Sequence, residues 1–143
     1  MELYKIYSEF KLIVNYYFGE VGVIDLKKRM LTISLDPFFL EEYDIVNDFR
    51  DCNLNVHVND LISYIDYLQN DIKVITKRKS ILLTSKPNQV VLTTIFSNKL
   101  LYTQMTPLVC STIEAAIPFL DKKGLDKTTL ILMLEELKKN RVV

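Results

Sequence analysis

Polar and apolar positions near the start of the chain alternate in the register of a strand. Leu12, Val14 and Tyr16 fall on one face, while Lys11, Ile13 and Asn15 fall on the other. The stretch from Leu3 to Tyr7 predicts a partner strand joined through a tight turn at Ser8 and Glu9, so the chain opens with an antiparallel hairpin. From Ile24 to Ser34 the period lengthens. Leu26, Met30 and Ile33 recur at helical spacing, with Lys27, Lys28 and Arg29 on the wetter side. Asp36-Pro37 ends that helix, because proline disfavours the helical conformation in the residue before it. "YDIVNDF", 43–49, then predicts a strand whose Ile45 and Val46 suit both faces of a covered sheet.

The alternation of strand and helix continues to the end. Asn59 is placed to cap a helix with Leu61, Ile62, Ile65 and Leu68 as its buried stripe. "SILLT", 80–84, is short, apolar and bounded by polar residues, as a central strand is. Pro87 starts a helix whose core face is Val91, Leu92, Ile95 and Phe96. "PLVC" supplies a last strand. Ser111 to Glu114 has the spacing of a capping box, opening a helix that reaches about Leu120 and stops at Gly124. A final helix over about 126–140 carries an apolar stripe of Leu130, Met133, Leu134 and Leu137, which must be buried against its own domain or a second copy; its own domain is preferred. Strands alternating with helices require parallel pairing and right-handed crossovers. The expected fold is α/β: a mixed sheet of about five strands with an N-terminal antiparallel hairpin, helices on the sheet and an extra C-terminal helix.

Length and composition add bounds. The chain has 143 residues, 49% hydrophobic and 25% charged, and no repeat or Gly/Pro/Ser-rich linker divides it, so one domain over 1–143 is expected. Eighteen basic residues balance eighteen acidic ones, which leaves no net field to recruit nucleic acid or an anionic membrane. The N-terminus lacks a basic start followed by an apolar run, and no apolar run is long enough to span a bilayer; a cytoplasmic location is expected. Cys52 and Cys110 are far apart and read as reduced thiols, and a single histidine argues against a zinc site. No cofactor is expected.

Three stretches carry a family resemblance: "YDIVNDFRDCNLNVHVNDLISYIDYL", "KRKSILLTSKPNQVVLTTIF" and "PLVCSTIEAAIPFL". Together they resemble uncharacterised bacterial proteins with a STAS-like fold, related to anti-sigma-factor antagonists. The resemblance covers about residues 3–120 and is most specific in the D-F-R-D turn and the C-S-T-x-E-A-A helix start. It implies a non-enzymatic interaction or regulatory domain with protein partners, a homodimer among them. In the antagonists a phosphorylated serine opens the helix after the central strand. Here that helix start reads Val56-His57-Val58-Asn59-Asp60, and Ser63 lies a turn further in, so no phosphoserine switch is expected.

Chemistry-bearing residues gather where the parallel strands should end, the zone in which open α/β sheets hold ligands. Asp48, Arg50 and Asp51 either bind a polar ligand or form an ion pair fixing a loop; the structural role is preferred, because no nucleophile, metal or histidine stands in register. "TSKPN", 84–88, offers Ser85, Lys86 and Asn88 at a helix start that suits an anion, yet lacks the glycines of a phosphate loop. With Ser111 these residues outline a candidate crevice for a ligand or partner, with no catalytic residue assigned. His57 reads as a capping or solvent-facing side chain, and Cys110 as core. "KVITKRKS", 73–80, reads as a solvated approach to a strand rather than a nucleic-acid patch. The eight tyrosines suit either the core or an interface.

Overall fold

The computed structural model describes residues 2–142. Its elements run β1 (Tyr4–Tyr7), β2 (Leu12–Val21), α1 (Val23–Ser34), β3 (Asp44–Leu54), α2 (Val58–Asp66), β4 (Lys79–Leu83), α3 (Pro87–Lys99), β5 (Thr106–Cys110), α4 (Ile113–Leu120) and α5 (Lys127–Lys138). The expected fold class is the observed one. β1 and β2 are antiparallel, joined through a 3-10 turn at Ser8–Phe10, and every later pairing is parallel. Among the described residues no helix is long and apolar enough to cross a membrane.

Strand order in the sheet follows chain order, β1-β2-β3-β4-β5. Each parallel crossover therefore steps in the same direction, and right-handed connections that step one way leave their helices on one face. Accordingly Leu26 and Met30 of α1, Leu61 and Tyr64 of α2, and Leu92 and Phe96 of α3 share a core with Ile13, Ile45 and Leu82. α4 and α5 follow the last strand and cover the opposite face, where Leu130 and Leu134 meet Leu12, Val14, Val46 and Ile81. The C-terminal helix thus buries its stripe on its own domain, as its spacing predicts.

Several local expectations are corrected. His57, not Asn59, is the N-cap residue of α2, and Asp60 accepts from its backbone N–H at 3.0 Å. Ile62 is exposed and Tyr64 takes its place in the buried stripe, while α2 closes in a π-helical turn at Tyr67–Asp71 that brings Leu68 inward. In α3 Val91 is exposed, and Gln89 and Thr93 are buried instead. Thr112 rather than Ser111 caps α4, which ends at Leu120 with Asp121 in the left-handed region rather than at Gly124. Arg29 leaves the wet side of α1 to donate to Asn15 Oδ1 and to the Tyr16 carbonyl, each at 2.7 Å.

β3 is longer than its pattern suggests, and its second half has one neighbour instead of two. The charged segment Asp48–Asp51 is not a turn but lies inside the strand. Opposite it on β2 the register slips between Tyr16 and Phe18, so Tyr17 faces both Phe49 and Arg50, a β-bulge. Tyr17 stacks on Phe49 with ring centroids 5.0 Å apart. β4 pairs with β3 only as far as Asp48, which leaves the following carbonyls of β3 without a strand partner on that side. β5 forms the sheet's other edge. Its Thr106 N–H donates to the Arg78 carbonyl, so the alternation of a ladder turns the nitrogen of Pro107 outward.

Candidate binding cavity

The residues singled out at the strand ends separate into three groups. Asp48 is fully buried and accepts three hydrogen bonds from Arg50: the backbone N–H at 3.1 Å, Nε at 2.9 Å and Nη2 at 2.9 Å. Asp51 faces the same α4–α5 layer further along, where it accepts from the Tyr16 hydroxyl at 2.5 Å and stands 3.9 Å from both Lys138 and Arg141. Ser85, Lys86 and Asn88 turn towards the unpaired edge of β3. Ser85 Oγ donates to the Arg50 carbonyl, Lys86 Nζ to the Cys52 carbonyl and Asn88 to the Leu54 carbonyl. Buried carbonyls need donors, and the start of α3 supplies them.

Gln89 completes that edge, and its type gave no hint of the role. Its Nε2 donates to the Phe49 and Cys52 carbonyls at 2.7 and 2.9 Å, and its Oε1 accepts from the Ser85 and Lys86 N–H groups. All four hydrogen-bonding positions of a fully buried amide are filled. The polar groups of "TSKPN" are thereby committed to the protein's own backbone rather than to an anion.

Arg50 and Ser111 do line an open crevice of about 320 Å³ between the sheet end, α4 and α5. Its charges are matched internally: Arg50 with Asp48, Lys127 with Glu114 at 2.5 Å, and Lys138 with Glu135 at 3.4 Å. Cys110, one residue before Ser111, is half-buried, its thiol pushed up by burial. Cys52 lies in the other core, its thiol pushed up to about 11, again by burial. Among the described residues no three His, Cys, Asp or Glu side chains come together as a metal group.

A second cavity, enclosed between the sheet and α1, α2 and α3, has the opposite character. It measures about 50 Å³, and every residue that lines it is buried. Most of its wall is aliphatic or aromatic, as with Leu61, Leu92, Phe96 and Met105. Arg78, Ser80 and Asn47 break that wall. Arg78 and Ser80 lie two residues apart at the start of β4, so the strand period puts both on this face together with Leu82. The position of Arg78 corrects the view of "KVITKRKS" as wholly solvated.

Arg78 is 4% exposed and has no ion-pair partner among the described residues. Nη1 reaches the Tyr43 carbonyl at a long 3.4 Å, Nε has no acceptor, and the guanidinium carbon stands 5.7 Å from the Phe39 ring centroid. Burial pulls the group down to about 10, so it remains a cation at neutral pH. A cation taken out of water without a counter-charge costs several kcal/mol, and such groups are ordinarily paired. The nearby anion does not serve: Asp44 spends one oxygen on the Lys79 N–H at 2.6 Å and the other on Lys122 at 2.8 Å. Tyr64, also in the wall, is held neutral because burial pushes its phenol well up.

Comparison of the chain with protein-family models, curated proteins and solved structures finds no match.

Proposed function

We propose that this chain is a non-catalytic regulatory domain of the cytoplasm that binds a small molecule in the cavity beneath α1, α2 and α3. The observation that carries the reading is the buried guanidinium of Arg78, without an ion-pair partner among the described residues, in a mostly apolar wall. A group so costly to bury persists most readily where a ligand completes it. The crevice at the strand ends supports the reading less well, because its charges already neutralise one another.

The STAS-like interaction role fits as the output of the same domain. α2 and α3, which roof the cavity, expose Val58 and Ile62, and Val90 and Val91, on their outer sides. A ligand that shifts those helices alters what a protein partner meets. Thermal unfolding of the full chain across a broad panel of small metabolites tests the ligand reading, since a ligand of the native state raises the melting temperature by mass action. A flat response across the panel would remove it and leave the protein-interaction role standing alone.

A further inference from the structure

At the β4 end of the cavity, two donors lack acceptors among the described residues. The Arg78 Nε–H has no acceptor. Ser80 Oγ accepts from Asn47 at 3.4 Å, and its own proton has no acceptor among the described residues. Asn47 Nδ2 reaches Ser80 and the Ile81 carbonyl at 3.4 Å each, longer than a good N–H···O bond. Its Oδ1 accepts from Asn15 at 3.0 Å, and the two long contacts of Nδ2 leave that amide nitrogen weakly engaged as a donor. Register fixes the grouping: Ile45 pairs with Ser80 and Asn47 with Leu82, which sets Asn47 diagonal to Ser80 on the same face.

A cation with two further donors beside it calls for a group that only accepts and carries negative charge. A carboxylate does both, and its two oxygens match the fork of a guanidinium. The apolar remainder of the wall calls for a body without further charge, since a second carboxylate would be stranded against leucine and phenylalanine. Volume limits that body. At about 50 Å³ the space is well below the roughly 150 Å³ of an engineered apolar cavity that accepts benzene, so the body is short.

We propose that the cavity binds a small monocarboxylic acid as its anion. The carboxylate lies on Arg78, Ser80 and Asn47, and a short aliphatic body lies against Leu61, Leu92 and Phe96. The assignment rests on the cavity being a ligand site, and it names the chemical class that site accepts. Arg78 acts as the anion's counter-charge and Ser80 and Asn47 set its orientation.

The experiment uses the full chain, with formate and acetate as probes, acetamide and ethanol as neutral counterparts, and inorganic phosphate as an anion without a tail. Binding is read from the melting temperature and from the methyl resonances of Met30 and Met105, both of which line the cavity. The carboxylates should raise the melting temperature and move both methyl signals. The neutral counterparts should bind roughly tenfold to a hundredfold more weakly, the loss of one charge-assisted contact, and phosphate should move neither methyl. Arg78→Met should fold with an unchanged or higher melting temperature and lose the preference for carboxylate over amide. Arg78→Lys, which keeps the charge, should retain that preference at reduced affinity. Equal binding of acetate and acetamide to the wild-type protein would overturn the carboxylate assignment while leaving a ligand cavity in place. Undiminished acetate binding by Arg78→Met would overturn it too, by placing the acid elsewhere. No methyl shift with any probe, together with a flat metabolite panel, would remove the ligand reading itself.

Discussion

Arg50 folds back along its own strand and grips Asp48, two residues earlier, through Nε and Nη2 at 2.9 Å each. Strand alternation puts the two on one face, and the extra residue of the β-bulge then turns Asp51 to that face as well. Asp48 is fully buried and Arg50 is the counter-charge in contact with it. Arg50→Ala should therefore destabilise the fold by about 2 kcal/mol or more, seen as a lower urea midpoint, because it leaves a buried carboxylate uncompensated. Adding Asp48→Asn should recover part of that loss. An Arg50→Ala protein of unchanged stability that lost a binding activity would make the pair functional instead of structural.

Gln89 joins the start of α3 to the bulged end of β3 through four hydrogen bonds. Gln89→Leu keeps the volume and strands two carbonyls and two N–H groups, so a loss of about 3 kcal/mol is expected. Faster hydrogen exchange at the Ser85 and Lys86 amides should accompany it. Unchanged exchange at those two amides would show that water replaces the side chain without difficulty.

Alkaline pH should unfold the protein before the peptide chemistry suffers. Burial raises the phenols of Tyr4, Tyr7, Tyr16, Tyr17 and Tyr64, with the Asp36 and Asp51 carboxylates adding to Tyr4 and Tyr16. Above about pH 10 these groups ionise in the unfolded chain while the folded chain keeps their protons, so stability falls as pH rises. Arg78 acts in the opposite sense, since its folded value lies near 10 and it releases its proton earlier when folded. Five groups outweigh one, and the melting temperature should fall between pH 9 and pH 11, windows drawn from the roughly pH 10 reference of tyrosine. In Arg78→Met the fall should be steeper. A flat or rising profile would contradict the burial of these phenols.

α5 contributes its core stripe to the layer opposite the cavity. Leu134 is 1% exposed between α5 and the sheet. Leu134→Ala should cost about 3 kcal/mol through lost transfer energy and the space left behind. Mass in solution should not change, because the stripe is covered within the chain. A variant of normal stability but smaller assembly would mean the stripe belongs to an interface.

The architecture was legible because its apolar periods are regular. Leu12, Val14 and Tyr16 face one core and Ile13 the other, as strict alternation demands. Helix faces were less legible where polar residues do core work. Gln89 and Thr93 are buried above the cavity and the β3 edge, and no apolar count could favour them over Val91. The bulge left a trace in the pattern: core positions Ile45 and Phe49 are odd-numbered, then Cys52 and Leu54 are even. That slip of phase marks the extra residue. Arg78 was hidden by its company, a run of lysines before a strand that reads as solvated. Its burial follows only from placing it in phase with Ser80 and Leu82, which requires knowing where β4 begins.

Pro107 carries a consequence for how copies of this chain meet. β5 borders the sheet, and Pro107, one of the two outward-facing positions that would offer an N–H to an incoming strand, has none. The opposite border, β1, is four residues long and presents Lys5 to solvent. Both rims are thus poor templates for strand addition, and a growing stack of sheets, the route by which exposed edges seed fibrils, is blocked at each end. Strand addition is disfavoured at both rims, which leaves the helical layers as the more open surfaces for a second copy.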